Sequence, residues 1–225
     1  MTAFEKAKFM QTTKQLFPLD LWHGTSAHLL DSIKEFGLGG VNVVLQTKVL
    51  DFLEEAIKLV RFDPDEYTDP RHAILSIIRH AADQRVTAMN WRHGGVYVTG
   101  SKEKASSYAF RAPESFDFAK QILKNSAPDE VEVIRDLLGS YRELSNFIDK
   151  PVAPVLVKIS QIPLEYIRAE HGGSAQELHQ FLKALPKEII KQQAFEMQTV
   201  ISFDQLEIFE VSGDPDTREF SYSRL

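Results

Sequence analysis

The sequence predicts an α+β fold. Strand-like segments lie early, in the middle and near the end of the chain, helical stretches cluster between them, and no regular βαβ alternation runs through it. Residues 19–24 (LDLWHG) predict a short strand running into a turn. Residues 26–36 predict a helix with Thr25 or Ser26 as its cap, Leu29, Leu30, Ile33 and Phe36 on one stripe, and Gly37 as its stop. Residues 45–61 place Val49, Leu53, Ile57 and Val60 near helical spacing, the loop DPDEYTDP (63–70) interrupts, and a third helix is expected over 71–89. In GGVYVTGS (94–101), strong β formers between glycines predict a strand, and Ser101 is placed to cap the helix that follows. Residues 114–124, 129–148 and 174–185 are expected to be helical, with a buried strand at 153–160. FEMQTVIS and LEIFEVS are expected to close the chain as two strands.

We find no internal repeat and no low-complexity linker, so residues 1–225 are expected to form a single domain. No apolar run approaches the roughly 20 residues that cross a bilayer, and the first residues mix Glu5 with Lys6, Lys8 and Lys14 instead of forming a secretory core. Cysteine is absent, which removes disulfides and thiolate chemistry and suits a cytoplasmic location. The formal charge of −6 weighs against a protein that coats nucleic acid through phosphate neutralisation.

Several familiar sites are missing from the sequence: the phosphate-binding P-loop, the dinucleotide GxGxxG, HExxH and GxSxG. GLGG at 37–40 follows a helix instead of opening one. His72, His80 and His93 are scattered, so no metal is expected.

Three segments stand out. LWHGTS precedes a helix ending in FGL; GGVYVTGSKEKASSYA places Tyr97 and Tyr108 eleven residues apart across a strand, a turn and a helix; and Glu196 opens a late strand. Together they resemble the His–Tyr–Glu class of ADP-ribosyltransferases, relatives of diphtheria toxin and the poly(ADP-ribose) polymerases. The resemblance implies split antiparallel sheets, here with a helical insertion at about 41–93, and NAD+ as co-substrate. By its pattern His23 would hold an adenosine-side ribose hydroxyl and the backbone of Gly24, with Thr25 beside it, would meet the carboxamide. Tyr97 would stack on nicotinamide, Tyr108 would pack against its other face, and Glu196 would orient the nicotinamide ribose. His23, Tyr97 and Glu196 are thus the expected catalytic residues. Strand alternation leaves Gln198 as an alternative to Glu196. The family's serine that bonds the carboxamide falls on Ala105 here, which makes Ser106 the substitute.

The activity implied is transfer of one ADP-ribose to a macromolecular acceptor, protein or RNA/DNA, by a bacterial or phage effector of the toxin–antitoxin or phage-defence kind, with an antitoxin or inhibitor protein as a further partner. An NAD+ glycohydrolase and a catalytically inactive NAD+ or ADP-ribose binding module are the rivals. A nucleic-acid acceptor would require a basic patch, for which Arg92, Lys102, Lys104 and Arg111 are the candidates.

Overall fold

Alternation along strand β1 (Leu21–Ser26) organises the fold, because successive side chains leave opposite faces of a sheet. The computed structural model describes residues 15–61, 70–83, 94–111, 113–170 and 172–225. Within them β1 joins β2 (Tyr97–Thr99), β3 (Pro154–Ile159), β4 (Ile167–Ala169), β5 (Ala194–Met197), β6 (Leu206–Asp214) and β7 (Glu219–Arg224). The order across the sheet is β4-β5-β2-β1-β3-β6-β7, and every neighbouring pair is antiparallel.

One face of this sheet carries Leu21, Val98, Val157, Ile159, Ile167 and Phe195, all buried in the larger sheet core. Helix α1 (Leu30–Phe36) covers it through Ile33. The other face carries Trp22 and Gly24, with Leu156 and Phe209 beside them in register. Helix α5 (Lys102–Ala109) lies on that second face, its Ala105 packed with Leu156 and Val211.

Between β1 and α5 in the chain come α2 (Val43–Thr47), α3 (Val49–Leu59) and α4 (Pro70–Ala82). After α5 come α6 (Glu114–Asn125), α7 (Pro128–Gly139) and α8 (Arg142–Ile148). These six helices share one hydrophobic core, in which Phe52, Leu53, Ile78, Ile122, Ile134 and Leu144 are fully buried. Each is amphipathic and must bury its apolar stripe, and the two stretches do so against one another. The stretch expected as an insertion at 41–93 therefore has its counterpart in 114–148, and residues 84–93 lie outside the described residues.

Several boundaries differ from expectation. Residues Ala27–Leu29 form a turn of 3-10 helix before α1, and neither Thr25 nor Ser26 caps it: Ser26 makes no side-chain capping bond. Phe36 is half exposed instead of joining the apolar stripe. The helix expected at 45–61 breaks at Lys48, whose φ of 53° cannot continue a right-handed helix. That expected at 129–148 breaks between α7 and α8. The strand expected to run on through Ser202 stops at Met197; the Gln198 N–H still donates to the Tyr166 carbonyl at 2.7 Å, in the register of β4 and β5, and the chain leaves the sheet after it. Three elements are additional: β4, helix α10 (Lys187–Gln192) and β7, which extends the closing strands to a hairpin. Helix α9 (Ala175–Ala184), the Ser101 cap and the Gly37 stop lie where the sequence puts them; the Ser101 hydroxyl accepts from the Lys104 N–H at 3.2 Å. The expected loop at 63–70 lies outside the described residues apart from Pro70.

The sheet is not divided into two. Pairing runs through all seven strands, but β1 and β2 share one register pair, Trp22 with Thr99, where β1 and β3 share six. Beyond Thr99 an imidazole takes the place of the ladder: the His23 Nδ1–H donates to the Tyr97 carbonyl at 2.8 Å. A side chain wedged between two strands stands in for backbone bonds the ladder lacks.

Candidate active site

The narrow joint between β1 and β2 brings together three of the residues singled out in the sequence, His23, Tyr97 and Glu196. Tyr97 lies two residues before Thr99, the partner of Trp22, so its side chain leaves the same face as Trp22, Gly24 and α5. Directly opposite Tyr97 on β5 is Glu196, and opposite Glu196 on β4 is Arg168. Residues opposed across antiparallel strands share a face with their Cβ atoms about 5 Å apart. Tyr97, Glu196 and Arg168 thus form a row across three strands.

The row has a definite polarity. Arg168 donates from Nε at 2.7 Å and from Nη2 at 2.6 Å to the same carboxylate oxygen, Oε2 of Glu196. The Glu196 side chain is only 14% exposed, whereas Arg168 is 44% exposed. Oε1 has no protein partner among the described residues and lies toward Gly95: a Cβ on that glycine would sit 3.2 Å from Oε1 and 3.5 Å from Cε2 of Tyr97. The absence of a side chain at Gly95 keeps the space between carboxylate and phenol ring open. The Tyr97 phenol titrates above its ordinary value, first because it is partly buried, then because Glu196 and Glu170 are negative, with Arg168 opposing them.

His23 and Thr25 leave the other face of β1, with Leu21. His23 reaches the site edge-on, through the joint. Burial holds its imidazole below the usual range, and the bond to Tyr97 only partly offsets this. The neutral ring carries its proton on Nδ1, where a carbonyl accepts it. Nε2 is then a lone-pair acceptor with no partner among the described residues.

Gly24 has a structural reason of its own. A Cβ there would lie 2.0 Å from the Ala105 carbonyl oxygen and 2.7 Å from the Ala109 nitrogen, so the backbone of α5 rests directly on this glycine. The glycine sets how deeply α5 sits on the sheet.

Along α5, Ser106 and Tyr108 are two residues apart and hence about 200° apart around the helix. Ser106 is fully buried; its hydroxyl donates to the Lys102 carbonyl at 2.8 Å and lies 3.1 Å from the Tyr222 hydroxyl of β7. It does not join the Tyr97–Glu196 row, because helix rotation carries it to the β7 side. Tyr108 leaves a different side of the helix from Ser106, 53% exposed and with no ring contact among the described residues. Gln198 is exposed beyond the end of β5, its side-chain amide turned to the Met197 carbonyl at 3.3 Å, so register leaves Glu196 as the carboxylate beside Tyr97.

The expected basic patch does not form from the lysines. Lys102 Nζ stands 3.4 Å from the Tyr222 ring centroid, with Trp22 at 5.1 Å and Phe209 at 5.4 Å, and burial lowers its pKa. Lys104 Nζ donates to the Gln192 carbonyl at 2.8 Å. Arg111 is exposed, and Arg92 lies outside the described residues.

Arg168 and Gly95 are the site residues that sequence reasoning missed. Strand β4 is three residues long, too short for any alternation to show. Gly95 carried a usable signal, because a glycine ahead of a run of β formers marks a place where something approaches closely.

No helix among the described residues is long and apolar enough to cross a membrane. No family model matches the chain, and neither a curated protein nor a solved structure matches it.

Proposed function

We propose that this chain is an ADP-ribosyltransferase that cleaves NAD+ and transfers a single ADP-ribose to a macromolecular acceptor. The observation that carries the reading is the register of Tyr97 with Glu196 on one sheet face, at the joint where the His23 imidazole separates β1 from β2. Three groups with free capacity fit a dinucleotide: the ring of Tyr97, the unpartnered Oε1 of Glu196 and the lone pair on Nε2 of His23. The exposed ring of Tyr108 supplies a second flat surface from α5.

The chemistry asks for this kind of site. The bond between the nicotinamide nitrogen and C1′ of ribose breaks with its electron pair going to nicotinamide, which leaves as a neutral pyridine. An oxygen or nitrogen of the acceptor forms the new bond to C1′ and gives up its proton. Positive charge grows on the ribose in between, so a fixed carboxylate and a rigidly held dinucleotide lower the barrier. The roles of His23, Gly24, Thr25, Tyr97, Tyr108 and Glu196 rest on the resemblance noted above; the buried, bonded hydroxyl of Ser106 gives that residue no part in it. An effector or toxin role, with an antitoxin as partner, rests on the same resemblance.

The test is incubation of the protein with NAD+ labelled in its adenylate and a cell lysate, with label followed through protease and nuclease digestion. Label retained on a macromolecule supports transfer, and the digestion that frees it names the acceptor class. Free ADP-ribose without labelled acceptor makes the protein a glycohydrolase, and NAD+ bound without nicotinamide release makes it a binding module.

A further inference from the structure

We infer that the two oxygens of Glu196 divide the work: Oε2 is the anchor, held by Arg168, and Oε1 is the working oxygen that meets the ribose hydroxyl of NAD+. The inference rests on the NAD+ reading of this site and adds Arg168 to it as a positioning residue.

The geometry is specific. A glutamate has three rotatable bonds, and fixing them costs side-chain entropy. Both Arg168 contacts fall on one oxygen, at 2.7 and 2.6 Å, and the guanidinium comes from the residue paired with Glu196 across β4 and β5. An arginine on a neighbouring strand thus fixes the carboxylate before substrate arrives. Had the guanidinium bridged both oxygens, Oε1 would already be giving one of its two lone pairs to Arg168; as it stands both are free for a ligand. With Oε2 taken, Oε1 faces the opening that Gly95 leaves beside the Tyr97 ring. Arg168 does not reach that opening through its contacts; it acts through the carboxylate. Its planar, always-charged fork suits such a role better than an ammonium, which makes a point contact.

The experiment compares Arg168→Gln and Arg168→Lys with the wild type, measuring the Kd for NAD+ by titration and kcat and KM for nicotinamide release. Arg168 lies on an edge strand and is 44% exposed, so both variants keep the core, and their melting midpoints check it. If Oε1 works only while Oε2 is anchored, Arg168→Gln binds NAD+ within about twofold of wild type and loses at least tenfold in kcat, because preorganised charge acts on the transition state. Arg168→Lys recovers part of that loss through its single contact. Arg168→Gln with wild-type kcat overturns the role of Arg168 and leaves the NAD+ reading standing. Equal loss of binding and turnover in both variants overturns it as well, since that marks a binding contact. Wild-type protein that neither binds nor cleaves NAD+ overturns the reading of the site itself.

Discussion

Replacing Gly24 by alanine separates the structural part of the HGT stretch from its chemistry. The added Cβ would lie 2.0 Å from the Ala105 carbonyl oxygen and 2.7 Å from the Ala109 nitrogen. Gly24 sits in a strand with no positive φ, so the cost is space alone and not backbone strain. The obstructing atoms are helix backbone, which cannot rotate aside as a side chain would. Contact at van der Waals distance requires α5 to retreat from β1 by roughly 1 Å or more. Overpacking of this kind costs about 1–3 kcal/mol and occasionally more, and a backbone clash belongs at the upper end. For a chain of this size about 3 kcal/mol lowers the melting midpoint by roughly 6–12 °C. Scanning calorimetry of Gly24→Ala beside Gly139→Ala makes the comparison. A Cβ at Gly139, the last residue of α7, meets nothing within 4 Å, so that control should hold its midpoint or rise slightly. A Gly24→Ala midpoint within about 2 °C of wild type would refute the claim that α5 rests on this glycine. Because Tyr108 rides on α5, the same variant should weaken NAD+ binding.

Tyr97→Ala should weaken NAD+ binding by roughly 1–3 kcal/mol, the worth of an aromatic–base stack, or about 5- to 150-fold in Kd, whereas Glu196→Gln should bind within a few-fold and lose turnover; equal binding losses in the two would contradict the assigned roles. Lys102→Gln removes a cation held among three rings and should lower unfolding free energy by about 1–2 kcal/mol in urea titration, and an unchanged midpoint would show that the rings pack as well without it. His23 has a pKa held below the ordinary 6.5 by burial, so as pH falls the unfolded chain takes up this proton before the folded one does. Its contribution is therefore intact above about pH 6.5 and is lost below it, and His23→Gln should lose less stability than wild type between pH 7.5 and 5.5; parallel losses would exclude His23 as the source.

What was legible in the sequence follows from how local each signal is. The stripe Val49, Leu53, Ile57 and Val60 is buried as its spacing implies, because a helix writes its buried face at fixed intervals. Ser101 and Gly37 act within a few residues of themselves, so cap and stop could be read directly. Strand β4, by contrast, exists because Ile167–Ala169 finds β5, some 28 residues further on, and nothing in three residues announces a partner. The same distance hid the Arg168–Glu196 pair. Ser106 misled for a different reason: sequence spacing offered a hydroxyl one residue from the place sought, but a single step turns a helix by about 100°, and the hydroxyl ended on the β7 side.

The lysines show how a charge can be read correctly as a charge and wrongly as a free one. Lys102 and Lys104 follow Tyr97 closely in sequence, where an acceptor would approach a bound nicotinamide. In the fold their ammonium groups are engaged with the protein itself: one among Tyr222, Trp22 and Phe209, the other on the carbonyl at the end of α10. Both fasten α5 to the rest of the chain, so reversing their charge would report stability before it reported acceptor binding. The cation that does border the Tyr97–Glu196 row is Arg168, and two of its N–H groups are committed to the carboxylate. Under the proposed reading, a phosphate backbone needs cations free to displace its counterions. Among the described sequence candidates that leaves Arg111, which is exposed. Arg111→Glu is therefore the charge reversal that should report on a nucleic-acid acceptor, and unchanged acceptor modification would count against one.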